Sequence, residues 1–154
     1  LSHNGLLVML GSGRLQESCE RYAAGRGNIR LLGQVSNVVD YLRASDIFVS
    51  ASHAEGLPNT VLEALACGLP VCISEISPHI EILVGSTNVG YTFPVGNCEA
   101  LAHALDACGN GNLTAPCHQA MDLIRHNFSA RIMSENYQRL YDELICKWGK
   151  ISQL

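Results

Sequence analysis

Ile47-Phe-Val-Ser50, then His53-Ala-Glu-Gly-Leu-Pro-Asn-Thr-Val-Leu-Glu-Ala-Leu-Ala-Cys-Gly-Leu-Pro-Val71, is the stretch whose reading decides the fold. A short apolar run bounded by polar and turn residues suits a buried parallel strand, so Ile47 to Ser50 reads as one. A helix is predicted over Thr60 to Cys67, stopped by Gly68 and Pro70. The intervening loop therefore leaves the carboxyl end of a strand and enters the start of a helix. Open α/β sheets bind their ligands at that place. The unbonded N–H groups and partial positive charge of a helix start hold phosphate without any lysine.

Working outward, the same alternation recurs. Leu6 to Leu10 is an apolar run closed by Gly11-Ser-Gly13, and Arg14 to Arg26 follows as a helix with Leu15, Cys19, Tyr22 and Ala23 on one face. Ile29 to Leu32 reads as a strand ended by Gly33, and Ser36 or Asn37 caps a short helix carrying Val38, Val39 and Leu42. Val71 to Ile73 and Gly90 to Phe93 are further strands, with short helices predicted around Ile80 to Leu83 and over Glu99 to Cys108. Gly109 to Asn112 reads as a loop. Pro116 to Asn127 and Ala130 to Trp148 read as closing helices, the second capped by Ser129. Met133, Tyr137, Leu140, Tyr141, Leu144 and Trp148 recur on the last helix at helical spacing, and such a stripe is expected to be core. Strands alternating with helices at short intervals predict an α/β domain, a Rossmann-like, doubly wound parallel sheet with helices on both faces. The 154 residues fit one domain, with the alternation in 6–110 and the closing helices in 113–154.

Composition agrees and excludes other classes. Hydrophobic residues make up 47% and charged residues 16%, enough to fill a core and too apolar for disorder. Ten Lys and Arg against 14 Asp and Glu leave a net charge of -4, with no basic stripe, which argues against nucleic-acid binding. The seven cysteines are odd in number and contain no CxxC pair, so free thiols are expected rather than a disulfide framework or a zinc site. No apolar run reaches the roughly 18 to 20 residues of a spanning helix, and no signal peptide opens the chain. A cytoplasmic location is expected, with work at the inner face of the membrane compatible.

The chemistry is concentrated in Glu55 and Glu63. Glu55 lies in the loop, free to reach a sugar ring, and Glu63 is expected on the first turn of the helix. A carboxylate accepts two hydrogen bonds at once, which suits vicinal hydroxyls such as those of a ribose. Taken alone, acidic residues near a helix start are explained as well by the helix dipole.

The run Glu55-Gly-Leu-Pro-Asn-Thr-Val-Leu-Glu63-Ala-Leu-Ala-Cys-Gly68-Leu-Pro70-Val71 resembles the hallmark of family 4 (group 1) glycosyltransferases: two glutamates separated by seven residues, then Ala-x-Ala-x-Gly-x-Pro-Val. Leu32-Gly-Gln-Val35, Ala44-Ser-Asp46 with its following strand, Gly11-Ser-Gly13 and Gly90 to Gly96 resemble the flanking family segments. The resemblance spans roughly residues 6 to 110. It implies the C-terminal, donor-binding half of a two-domain GT-B enzyme, which moves a sugar from a nucleotide-diphosphate sugar to a glycan or lipid-linked acceptor with retention of configuration. Glu63 would hold the donor ribose and Glu55 would contact the donor sugar and be catalytic. The backbone at Leu57, Asn59, Thr60 and Val61 would bind diphosphate or sugar, and Val35 would flank the nucleobase. No metal or other cofactor is expected.

One departure matters. Family members carry, ahead of the first strand read here, a further strand and helix with Gly-Arg and then Lys, which grip the diphosphate, and an N-terminal acceptor domain. Their absence implies that this chain alone binds nucleotide weakly, transfers no sugar and is prone to self-association through an uncovered edge or helix face. A non-catalytic nucleotide-sugar-binding module and a GT-B epimerase remain the alternatives. A receiver domain would need an acidic cluster after the first strand, and Leu6 to Ser12 has none.

Four lesser features complete the candidates. Gly11-Ser-Gly13 with Arg14 begins like a dinucleotide fingerprint, but Gln16 stands where the third glycine belongs, so the turn is structural or lies near the donor. His53 is two residues before Glu55, and His79 lies in the loop Ser77-Pro-His79, where a place in the donor wall is the functional reading. Glu81 matches a family glutamate and reads as a helix-start residue.

Overall fold

The computed structural model describes residues 5–84, 89–111 and 114–151, with backbone alone at 114–116 and 149–151. The order is β1 (Leu7–Met9), α1 (Gln16–Ala23), β2 (Ile29–Leu31), α2 (Val38–Arg43), β3 (Phe48–Ser50), α3 (Asn59–Ala66), β4 (Val71–Ser74), α4 (Ser77–Leu83), β5 (Gly90–Phe93), α5 (Cys98–Asn110), α6 (Thr114–Asn127) and α7 (Ala130–Ile151). All strand pairs are parallel: Leu7 faces Ile29, Phe48 faces Val71, and Val71 in turn faces Gly90.

β4 explains the layering. All four of its residues are buried. Val71 and Ile73 join Val61, Ala64 and Leu65 of α3 and Ala120 and Leu123 of α6 in the main core. Cys72, between them, joins Ala104 and Cys108 of α5, with Ile47 and Val49 packed alongside. Successive strand residues point to opposite faces, so one strand buried on both sides requires helices on both sides. That is the doubly wound arrangement the alternation predicts.

The single sheet expected from the alternation is found as two, β1-β2 and β3-β4-β5. Among the described residues no ladder joins β1 to β3. One face of β1 is open, with Leu7 and Met9 exposed, as is Leu6 just before the strand.

Two further expectations change. Gly109 and Asn110 lie inside α5 rather than in a loop, with Gly111 following the helix; Asn112 lies outside the described residues. Burial of Ala104 and Cys108 on this helix outweighs the roughly 1 kcal/mol that a helical glycine costs. The stripe on α7 is not core: Met133, Tyr137, Leu140, Tyr141, Leu144 and Trp148 are all exposed, Trp148 at 70%. The helical periodicity is real, but no described element covers that face sufficiently to bury it. Ser129 does cap the helix, its hydroxyl accepting from the Ile132 N–H at 3.4 Å.

The cysteines are free thiols, as expected. Cys72 and Cys108 meet in the smaller core, and the hydrogen bond between them, together with burial, pushes the Cys72 thiol well up. Cys98 and Cys146 are exposed. A thiol reagent such as dithionitrobenzoate is therefore expected to modify Cys98 and Cys146 in the folded protein and to reach Cys72 and Cys108 only on unfolding. Mass mapping of the labelled peptides checks this, and early labelling of Cys72 would contradict its burial.

Two glycines make opposite predictions. A methyl group at Gly90 would overlap the Val71 carbonyl oxygen and crowd the Val71 side chain, all within the β4–β5 pairing. Gly90→Ala is expected to destabilise by at least about 3 kcal/mol in urea unfolding, the upper end for overpacking because backbone cannot step aside. Gly109 has open space around it, and Gly109→Ala is expected to stabilise by about 0.5 to 1 kcal/mol.

Candidate functional site

The loop after β3 is built on serines. Ser52 is half-buried, and its hydroxyl donates to Glu55 Oε1 at 2.7 Å. Because Ser52 spends its proton on that carboxylate, the 3.3 Å contact between the Ser50 and Ser52 hydroxyls is one in which Ser50 donates. From the neighbouring strand, the Ser74 hydroxyl donates to the Ser52 carbonyl at 2.6 Å. Ser74 is fully buried. Its own carbonyl accepts from the Ile76 N–H at 2.9 Å and from His79 Nδ1 at 2.8 Å. Glu55 itself is exposed, so the buried hydrogen bonds lie behind the carboxylate.

α3 begins at Asn59, with the buried Pro58 before it and no side-chain cap. The Asn59 N–H donates to the Leu57 carbonyl at 2.9 Å, and the Val61 and Leu62 N–H groups share the Pro58 carbonyl at 3.0 and 3.2 Å. The Thr60 N–H makes no hydrogen bond among the described residues. Val61, Ala64 and Leu65 form the buried face of the helix. Asn59, Thr60 and Glu63 are all exposed, and their spacing of three and four residues puts them on one face opposite the core. Glu63 therefore sits one turn further into α3 than expected, with no acidic residue in the first turn. Leu57, expected to contribute backbone, presents an exposed side chain as well, at 62%.

At the smaller sheet, the Gly11 N–H donates to the Gly33 carbonyl at 2.6 Å, tying the Gly11–Gly13 turn to the segment leading to Val35. Gly11 has a φ of 106° and Gly33 of 67°, conformations that explain glycine at both places. A cavity of about 260 Å³ lies here, lined among others by Leu10, Gly11, Gly13, Leu15 and Cys19. Arg14 is exposed and does not line it. Val35 is half-buried beyond Gly33.

The histidine expectations divide. His53 is exposed beside Glu55, free to meet a ligand. His79 lies inside α4 rather than in a loop, and it is completely buried, so it forms no open wall. A carbonyl only accepts, so the bond to the Ser74 carbonyl fixes the proton on Nδ1. Nε2 is buried and without a partner among the described residues. Leaving a buried polar atom unpaired costs about 1 to 3 kcal/mol, a cost that packing alone gives no reason to keep. Glu81 is exposed, but it is not at the helix start: α4 begins at Ser77, and its first turn holds no acidic residue. Ser52 and Ser74 are the residues that sequence reasoning missed; the available signal was a hydroxyl three residues before Glu55 and another closing an otherwise apolar strand. Among the described residues no group of three or more His, Cys, Asp or Glu could hold a metal ion.

Comparison with known proteins follows the same residues. The family model described as "Glycosyl transferases group 1" matches residues 2–110. An uncharacterized glycosyltransferase of Haemophilus influenzae is 27% identical over 148 residues, which is 94% of this chain and 39% of that protein. The N,N'-diacetylbacillosaminyl-diphospho-undecaprenol alpha-1,3-N-acetylgalactosaminyltransferase of Campylobacter jejuni is 29% identical over 122 residues, 77% of this chain and 32% of that protein. Among solved structures, Anabaena Alr3699/HepE in complex with UDP superposes with a TM-score of 0.77 at 19% identity, over 90% of this chain and 41% of that one. The chain thus spans about a third to two-fifths of the length of these relatives.

Proposed function

The chain belongs to the group 1 glycosyl transferases, the family whose model covers residues 2–110, and from that premise we propose that it is the donor-binding part of a sugar transferase. The observation that carries the reading is the start of α3. Exposed Glu55 stands four residues before it and exposed Glu63 four residues into it, with the unbonded Thr60 N–H between them. A diphosphate suits the N–H groups and partial positive charge of the helix start. Glu63, on the same face one turn along, takes the vicinal hydroxyls of the ribose. Glu55, on the other side, meets the donor sugar.

The reaction then separates charge across that helix start. As the bond from sugar to diphosphate breaks, the sugar gains oxocarbenium character and the diphosphate gains negative charge. Glu55 stabilises the first and the backbone at Leu57, Asn59, Thr60 and Val61 the second, with configuration retained and no metal required. Val35, from the loop after β2, flanks the base. The Anabaena neighbour, solved in complex with UDP, supports a nucleotide in this fold. The name of the Campylobacter relative supports a lipid-linked acceptor. The acceptor would be bound by polypeptide other than this chain, at the cytoplasmic face of a membrane. Among the described residues no helix is long and apolar enough to cross one.

Calorimetric titration with UDP, GDP and ADP tests the reading. Saturable binding of one nucleotide is expected, weakened by Glu63→Ala roughly ten- to a hundred-fold, the effect of removing a charged hydrogen-bond partner worth about 1.5 to 3 kcal/mol. Glu55→Gln is expected to leave nucleotide affinity within about three-fold while abolishing turnover by the full-length protein. Binding that Glu63→Ala leaves unchanged would remove the ribose from this helix.

A further inference from the structure

Four side chains from three elements join into one directed chain that ends on Glu55. His79 Nδ1, on α4, donates to the Ser74 carbonyl at 2.8 Å and lies 3.3 Å from the Ser74 hydroxyl. The Ser74 hydroxyl, at the end of β4, donates to the Ser52 carbonyl at 2.6 Å. The Ser52 hydroxyl, in the loop after β3, donates to Glu55 Oε1 at 2.7 Å. The register shows what this accomplishes. The β3–β4 ladder ends at Ser50 opposite Ile73, and Ser74 is the next residue of β4. Its hydroxyl therefore holds the second residue of the loop to the sheet where backbone pairing has stopped.

We propose that Ser74 and His79 are positioning residues that set the carboxylate of Glu55 through Ser52. The inference rests on the reading of Glu55 as the group that meets the donor sugar. Burial decides between a latch and a chance contact. Ser74 and His79 are both 0% exposed, so water does not compete for their bonds, whereas Glu55 on an open loop has no such protection. His79 keeps one ring nitrogen unpaired in the core in order to present the other to Ser74. Both lone pairs of the Ser74 carbonyl are then engaged, by Ile76 N–H and by His79, which holds the end of β4 against the turn into α4. With that backbone held, the hydroxyl of Ser74 is aimed at the Ser52 carbonyl.

The full-length protein carries the test. Ser74→Ala and His79→Leu are each expected to lower kcat about ten-fold or more while the donor KM stays within about two-fold, because a carboxylate displaced by an ångström loses its hold on the transition state rather than on the nucleotide. Ser74→Thr keeps the hydroxyl, and His79→Asn keeps a donor near the position of Nδ1; both are expected to recover most of kcat. Amides 52–57 are expected to exchange with deuterium faster in the first pair of variants than in the second. A kcat equal to that of the unsubstituted protein overturns the proposal. So does a fall in kcat that His79→Asn does not relieve, or amides 52–57 that exchange at an unchanged rate. If the unsubstituted protein transfers no sugar, the functional reading fails by itself, and exchange at 52–57 alone decides whether the latch holds the loop.

Discussion

Everything in this molecule leans on β4. Four residues long, it is buried on both faces and hydrogen-bonded on both edges, to β3 and to β5. Its alternation divides the interior into two cores, Val71 and Ile73 towards α3 and α6, Cys72 towards α5. Its first residue demands a glycine opposite, at Gly90, because the partner backbone passes too close for a side chain. Its last residue is the one polar side chain on the strand, and its hydroxyl holds the loop that carries Glu55. One strand thus fixes the layers, the strand spacing and the position of the site.

α3 shows how a helix serves core and site together. Val61, Ala64 and Leu65 are wholly buried, while Asn59, Thr60 and Glu63 remain on the opposite face. The buried face anchors the helix through the hydrophobic effect, at roughly 1.5 to 3 kcal/mol for each large side chain fully removed from water. The polar face is then free to be chosen for chemistry. Gly68, with a φ of 79° and packed against Cys117 and Met121, ends the helix and turns the chain into β4, which closes the loop–helix–strand unit that the hallmark run encodes.

Much of this was legible from residue patterns. The strands at 48–50, 71–74 and 90–93 and the helix between Pro58 and Gly68 are bounded by apolar runs and turn residues, which act locally. What escaped depends on contacts distant in sequence. Gly109 looked like a loop because glycine is a poor helix former, yet α5 continues through it, with Ala104 and Cys108 packed against Cys72. The α7 stripe looked like core because periodicity reports that a face is apolar, not that another element covers it. His79 looked like a surface candidate because a lone histidine gives no sign of burial. Ser52 and Ser74 were invisible as a pair: twenty-two residues separate them, and only the parallel pairing of β3 with β4 brings them together.

That last pairing also explains how an exposed acid can be held in place. A carboxylate that must meet a ligand cannot be buried, and an open loop by itself leaves it many conformations, each residue ordered costing about 1 to 2 kcal/mol. Here the ordering is supplied from inside the sheet. Hydrogen bonds at Ser74 and His79 are made where water does not compete, and they act on the loop backbone rather than on the carboxylate itself. Only the final bond, from Ser52 to Glu55, lies at the surface. One carboxylate oxygen is thereby bonded to Ser52, and in the proposed reading the other meets the donor. The rigidity of the core and the openness of the site then cease to conflict, because the residues that provide one are not the residues that provide the other.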